Sequence, residues 1–284
     1  GMKLFCDGLG TAYPDIANSS RRITSSELSR CRRNGVTDIV EVMIGYDGIV
    51  IANASGSPVL DVSRRQLYLA LAQRIPGDAP NELVDNPYMR WQDISPDLPD
   101  LPIEVLGPPP TSGTRDAFVA LVMEAGCRET PWLAALAASD PIRFRAACHS
   151  LREDGGYIEA GENDNLIVQK LQASPGAFGI LGFSFLDQNT EKVKAAIVDG
   201  EVPGFESIAV ARYPISRPLF FYLKKAHVAV IPGLREFLVE FTNERTWGDE
   251  GYLSYRGLVP LSPEDRANVA ARVAELVVLN AAVR

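Results

Sequence analysis

The chain has 284 residues, 46% hydrophobic and 23% charged, which suits two domains or one large one, and no run of eighteen apolar residues offers a membrane span. Its formal net charge of −8 excludes nucleic acid and anionic membrane surfaces as partners, because both require a basic footprint. A small anion stays admissible, since at physiological ionic strength, with a Debye length of about 8 Å, a buried site answers mainly to its nearest dipoles.

In chain order, Thr24-Ser25-Ser26-Glu27 has the spacing of a capping box. The helix it opens carries Leu28 and Cys31, sets Arg30, Arg32 and Arg33 near its negative end, and stops at Gly35. Two β-rich runs over 38–44 and 48–53 are split by Gly45-Tyr46-Asp47, and Ser63 caps a helix through Leu67 and Leu71. The Pro- and Asp-rich stretch 76–102 reads as irregular surface chain, and 103–106 as a short strand entering Gly107-Pro108-Pro109-Pro110. Helices are expected over 115–125, 142–152 and 163–173, and buried strands over 178–183 and 217–224. Helices over 232–245 and 262–278 close the chain, the second capped by Ser262 with Pro263 in its first turn. This alternation predicts an α/β fold with mainly parallel sheets.

Cys6, Cys31, Cys127 and Cys148 form two local pairs, one in each half of the chain. Four cysteines allow three connectivities. The even count in two local pairs favours Cys6–Cys31 and Cys127–Cys148, and with them an oxidising compartment. A metal site is not expected, because no CxxC or histidine cluster accompanies them; His149 and His227 stand alone. Gly-x-Ser-x-Gly, Walker A and the Gly-x-Gly-x-x-Gly fingerprint are all missing, so no catalytic residues are assigned, no cofactor is called for, and the chain is not expected to be an enzyme.

The segment with the most chemistry is Thr111-Ser112-Gly113-Thr114-Arg115, between a strand and a helix start. Glycine permits close backbone approach, the hydroxyls offer donors, and the first N–H groups of the helix point at one spot with the positive dipole end behind them. Arg115 could add a planar fork for a tetrahedral oxyanion. On spacing alone, a plain N-cap followed by a solvated arginine explains the segment equally well. Asp15 to Arg22, with Ser20 and Arg21, and Gly45-Tyr46-Asp47-Gly48 are weaker candidates, a surface loop and a turn dipeptide by default.

Together these segments resemble the periplasmic phosphate-binding proteins of ABC-type importers. The matching pieces are Lys3 to Cys6, Pro14 to Arg21, Gly45 to Val50, Gly107 to Phe118, Pro175 to Gly182 and Tyr213-Pro214-Ile215, in family order over nearly the whole chain. The resemblance implies a type II binding-protein fold. Two α/β lobes, 1–54 with 218–284 and 55–217, would be joined by two crossing strands, with the anion held in the cleft between them. By position it implies phosphate contacts from Ser20 and Arg21 on one lobe and from Thr111, Ser112, Gly113, Thr114 and Arg115 on the other. Related sequences often carry an arginine shortly before Ser-Gly-Thr. Here prolines occupy that place, so Arg115 or Arg21 would have to supply the cation. Asp47 is expected to accept the P–OH hydrogen bond that sulfate cannot give.

The resemblance further implies a periplasmic location and delivery of phosphate to ABC permease subunits. Alternatives are a binding protein for sulfate or molybdate, or a surface or sensor protein that keeps the fold without transport. Family members begin with a strand and a Gly-Ser-Ser-Thr-type loop, and neither these nor a signal peptide precedes Lys3 in this sequence. Gly1-Met2 reads as a tag scar at a start lying inside the natural protein. The expectations are that the first lobe is shortened, that phosphate binds weakly or not at all, and that the chain self-associates through that lobe.

Overall fold

A computed structural model describes residues 1–161 and 163–279. It divides into two compact units, Gly1–Asp47 with Arg217–Arg284, and Gly48–Ser216. The chain passes from one unit to the other inside the strand Ile39–Ala54, and returns at the head of the strand Ser216–Lys224. The end of Ile39–Ala54 therefore belongs to the second unit.

In the first unit, Ser216–Lys224 lies between Ile39–Ala54 and the short strand Ile16–Ser19. It pairs antiparallel with Ile16–Ser19, Ile16 opposite Leu223 and Ser19 opposite Phe220. Side chains alternate along a strand. Phe220 and Tyr222 therefore pack with Phe5, Ile23, Leu28 and Cys31. Phe221 and Leu223 pack with Val42, Leu234, Leu238 and Val273 on the other face. Helices Leu234–Phe241 and Pro263–Ala274 supply that second layer. A strand covered on both faces explains the unbroken run Leu219 to Leu223. The Cys6–Cys31 disulfide ties the N-terminal turn to the helix Ser25–Arg33.

Two side chains, Lys224 and His227, pin residues 7–15, for which the sequence carries no periodic signal. Lys224 is fully buried; its Nζ donates to the Gly8 carbonyl at 2.6 Å and lies over the rings of Phe5 and Tyr13. Desolvation holds its pKa below the usual lysine value, with Asp15 opposing. The ring nitrogens of His227 lie 2.6 Å from Asp15 Oδ1 and 2.5 Å from the Leu9 carbonyl.

The second unit is built around Val105–Gly107, flanked by parallel strands Tyr157–Glu159 and Phe178–Gly182. Ile39–Ala54 then pairs antiparallel with Phe178–Gly182 and with Val193–Ala195. The class is α/β as expected, with mixed pairing. The parallel neighbours need helical crossovers, whereas a strand entering from the other unit needs none and can run antiparallel.

The helix Gly113–Phe118 widens into a π turn over Val119–Met123 and continues as Glu124–Arg128. It packs closely on Arg64–Leu71, the helix capped by Ser63: a Cβ at Gly126 would collide with the backbone of Arg64. The second disulfide joins Cys127 to Cys148, at the end of the helix Pro141–Cys148.

Three sequence expectations need correction. The helix expected over 142–152 ends at Cys148. Arg152 beyond it is instead buried, donating to Asp154 and to the carbonyls of Ala70 and Tyr88. The stretch 76–102 is not merely surface chain. It contains a strand pair, Arg74–Pro76 with Leu83–Asp85, and a fully buried Trp91 set edge-on to Phe178 at 5.3 Å. The β runs on either side of Gly45-Tyr46-Asp47 form one continuous strand, because Gly45 takes a φ of 148° that bends the chain without reversing it.

Candidate functional site

The chain leaves Val105–Gly107 for a neighbour on one side, Tyr157–Glu159, and then passes back to the other side, Phe178–Gly182. Right-handed crossovers running in opposite directions put their helices on opposite faces of the sheet. The loops after Gly107 and Glu159 therefore part at the carboxyl ends of the strands, where open α/β sheets place their ligands. They leave side by side, since Ala160 N–H donates to the Gly107 carbonyl at 2.8 Å.

The segment 111–115 occupies this point. Ser112 caps the helix, its Oγ accepting from Thr114 N–H at 3.2 Å and its carbonyl from Asp116 N–H at 3.2 Å. The first N–H groups of a helix have no partner within it and carry its positive dipole end. Thr111 and Gly113 are exposed, Ser112 and Thr114 half-buried. A Cβ at Gly113 would meet no protein atom within 4 Å, so the backbone there is open to approach from outside.

Arg115 turns back into the protein. Its Nη1 donates to the Pro108 carbonyl at 3.2 Å, and its guanidinium lies 4.5 Å over the ring of Tyr157. The Tyr157 hydroxyl donates to the same carbonyl at 2.6 Å, and burial raises its pKa with Arg115 opposing. Arg115 and Tyr157 thus brace the proline turn. Gly107 makes room for this, because a Cβ there would run into the Tyr157 ring and hydroxyl. The sequence carries no signal for Tyr157, and for Gly107 only its place at the end of the short strand run 103–106.

In the first unit, Ser20 follows the strand Ile16–Ser19 and is half-buried. Arg21 is committed to Glu27 by two hydrogen bonds, Nη1 to Oε2 at 2.9 Å and Nη2 to Oε1 at 2.8 Å. This contact, with donors from Thr24 adding and burial opposing, holds the Glu27 carboxyl at about 2. A depressed carboxyl stabilises the fold above its ordinary range and loses that contribution as pH falls through the folded value. Glu27→Gln is therefore expected to cost about 1 kcal/mol near neutrality, the scale of a lost cap. Urea melts should show the gap to wild type closing as pH falls from the ordinary carboxylate range toward 2; a pH-independent gap would remove the charge from the explanation.

Asp47 also lies in the first unit. Its Oδ2 accepts from Nε of Arg217 at 3.0 Å and lies 3.0 Å from Nη2 in an ion pair. The strand is fixed on the N-terminal side of Asp47. Tyr46 exchanges backbone hydrogen bonds with Val259 at 2.8 and 2.9 Å, and a Cβ at Gly45 would collide with the Val259 carbonyl. Arg217 was not among the sequence candidates; its only signal is a cation heading an otherwise apolar strand. The two histidines sit in structural settings, His149 against Glu124 and Phe144, His227 against Asp15.

A family model described as a PBP superfamily domain matches residues 1–245. Protein SphX of Synechococcus elongatus is 28% identical over 240 residues, covering 80% of this chain and 59% of that protein. The phosphate-binding protein PstS of Staphylococcus saprophyticus is 25% identical over 232 residues, covering 79% of this chain and 59% of that protein. The chain thus spans about three fifths of the length of these relatives. The crystal structure of a possible phosphate binding protein from Planctomyces limnophilus superposes with a TM-score of 0.70 at 24% identity, covering 98% of this chain and 84% of that one.

Proposed function

The chain belongs to the PBP superfamily, and on that premise we propose that it binds inorganic phosphate outside the cytoplasm, delivers it to an ABC-type import permease and performs no reaction on it. The observation that carries this reading is the Ser112-capped helix start at the carboxyl end of Val105–Gly107, where the connections diverge. Backbone N–H groups and hydroxyls there suit an oxyanion, and no base or nucleophile is needed to hold one. The names of the PstS relative and of the structural neighbour support phosphate in particular, and the two disulfides suit an oxidising compartment such as the periplasm.

Within the second unit we assign anion contacts to Thr111, Ser112, Gly113 and Thr114; within the first, taken by itself, Ser20 and Asp47 are the assigned candidates. Arg115 enters as the brace of the turn, and Arg21 as the partner of Glu27. Calorimetric titration of the chain with phosphate, sulfate and molybdate, each up to millimolar concentration, tests the reading. Saturable phosphate binding is expected, however attenuated, with sulfate and molybdate at least roughly 10³-fold weaker, the scale on which a polar mismatch rejects a near-isostere. Equal affinity for the three anions would transfer the chain to the wider oxyanion class. No phosphate response at all would overturn the proposal. The self-association expected from the sequence is read from sedimentation of the same samples, and a monomer at every concentration would discard it.

A further inference from the structure

The turn 108–112, which lies wholly in the second unit, has little of its own to hold it. Pro108, Pro109 and Pro110 carry no backbone N–H, and the backbone bond within the turn runs from Ser112 N–H to the Pro109 carbonyl at 3.0 Å. Proline fixes φ, whereas ψ is left for other contacts to set. The ψ of Pro108 decides where its carbonyl points and where the chain goes next. That carbonyl takes donors from outside the turn, the Tyr157 hydroxyl at 2.6 Å and Arg115 Nη1 at 3.2 Å.

We propose that Tyr157 is a positioning residue for this turn: it holds residues 108–114 in their binding geometry before any anion arrives. This inference rests on the phosphate reading above and deepens it. The hydroxyl fixes the Pro108 carbonyl at the head of the turn. The ring face carries the Arg115 guanidinium at 4.5 Å, at the far end where the helix begins. Arg115 in turn reaches back across seven residues to the same carbonyl. One side chain on the neighbouring strand thus sets both ends of the turn. A turn already in its binding geometry loses less freedom when the anion lands, and the apparent affinity scales with the fraction of molecules that are ready.

A role confined to packing accounts for the hydroxyl less well. Tyr157 is buried, and a phenylalanine ring would fill the same space beneath Arg115 without a polar atom to desolvate. The space is also cleared for the oxygen itself. A Cβ on Gly107 would come within 2.3 Å of the Tyr157 hydroxyl, so any larger residue before the prolines would push it off the carbonyl.

The test is Tyr157→Phe in the full chain, which keeps the ring and removes only the hydroxyl. Calorimetry with inorganic phosphate is expected to show binding weakened roughly fivefold, the scale of one net hydrogen bond. The ratio of phosphate to sulfate affinity should stay as in wild type, because no ligand contact has changed. Amide hydrogen exchange in phosphate-free buffer should quicken over 108–116 and stay unchanged in the helix Arg64–Leu71, with saturating phosphate restoring the protection. Unchanged phosphate affinity, with faster exchange throughout the unit, would make the hydroxyl merely structural and overturn the inference while the phosphate reading stood. A changed ratio would make it a ligand contact, which overturns positioning as well. Should Tyr157→Phe fail to fold, Arg115→Lys decides, since it removes the planar stack and keeps the charge: a similar loss with the same local exchange supports the inference, and unchanged affinity overturns it. Absence of any response in wild type sinks the phosphate reading, and this inference with it.

Discussion

Asp47→Asn is expected to shrink the preference for phosphate over sulfate by roughly 10³- to 10⁴-fold, the largest selectivity change any single substitution in this chain should produce. Phosphate keeps at least one proton at neutral pH and sulfate keeps none. A carboxylate with an unspent oxygen therefore accepts a hydrogen bond from one anion and repels the other. Facing a partly desolvated carboxylate against sulfate lone pairs costs several kcal/mol. An amide removes the repulsion and can turn its N–H₂ toward either ligand. Absolute phosphate affinity should fall far less than the ratio, because the amide can still hydrogen-bond phosphate. Titrating both anions into wild type and variant gives the ratio directly. An unchanged ratio would take Asp47 out of the selectivity mechanism.

What the sequence made legible is what local chemistry decides. The caps at Thr24, Ser63 and Ser262 each satisfy a backbone donor three residues on, so spacing alone reveals them, and the structure bears them out. The two disulfides were legible for a similar reason, since each joins cysteines within one half of the chain. Ser112 was readable as a cap, and the turn it closes lies where the strand connections diverge.

The illegible parts depend on partners far away in sequence. Arg217 meets Asp47 across 170 residues, and Lys224 reaches Gly8 across 216. No periodicity or motif encodes either contact. Arg115 looked like a free fork because Tyr157, the ring that absorbs it, belongs to another strand. Trp91 sits in a proline-rich stretch that reads as surface, and only packing against Phe178 shows that one large ring anchors it to the core. Gly45 misled in the opposite sense, since a glycine before Tyr-Asp-Gly looks like a turn until its φ shows one strand bending.

Replacing both disulfides by alanine pairs, Cys6→Ala with Cys31→Ala and Cys127→Ala with Cys148→Ala, is expected to remove about 3 kcal/mol for each bridge. The sequence separations are 25 and 21, and closing loops of that size restrains the unfolded chain by about that amount. Alanine is the informative replacement, because all four sulfurs belong to fully buried residues and a serine hydroxyl would add an unsatisfied group of its own. The bridges lie in different units and share no partner, so their effects should add. The sum, about 6 kcal/mol, is a large fraction of the 5–15 kcal/mol that holds an ordinary domain together. Losing Cys6–Cys31 should also loosen residues 7–15, which then depend on Lys224, His227 and the Arg30–Asp7 ion pair. Urea unfolding of the two pair variants and their combination, read against oxidised wild type, checks the sizes and the additivity. Losses below about 1 kcal/mol per bridge would mean that the unfolded chain is already constrained without them.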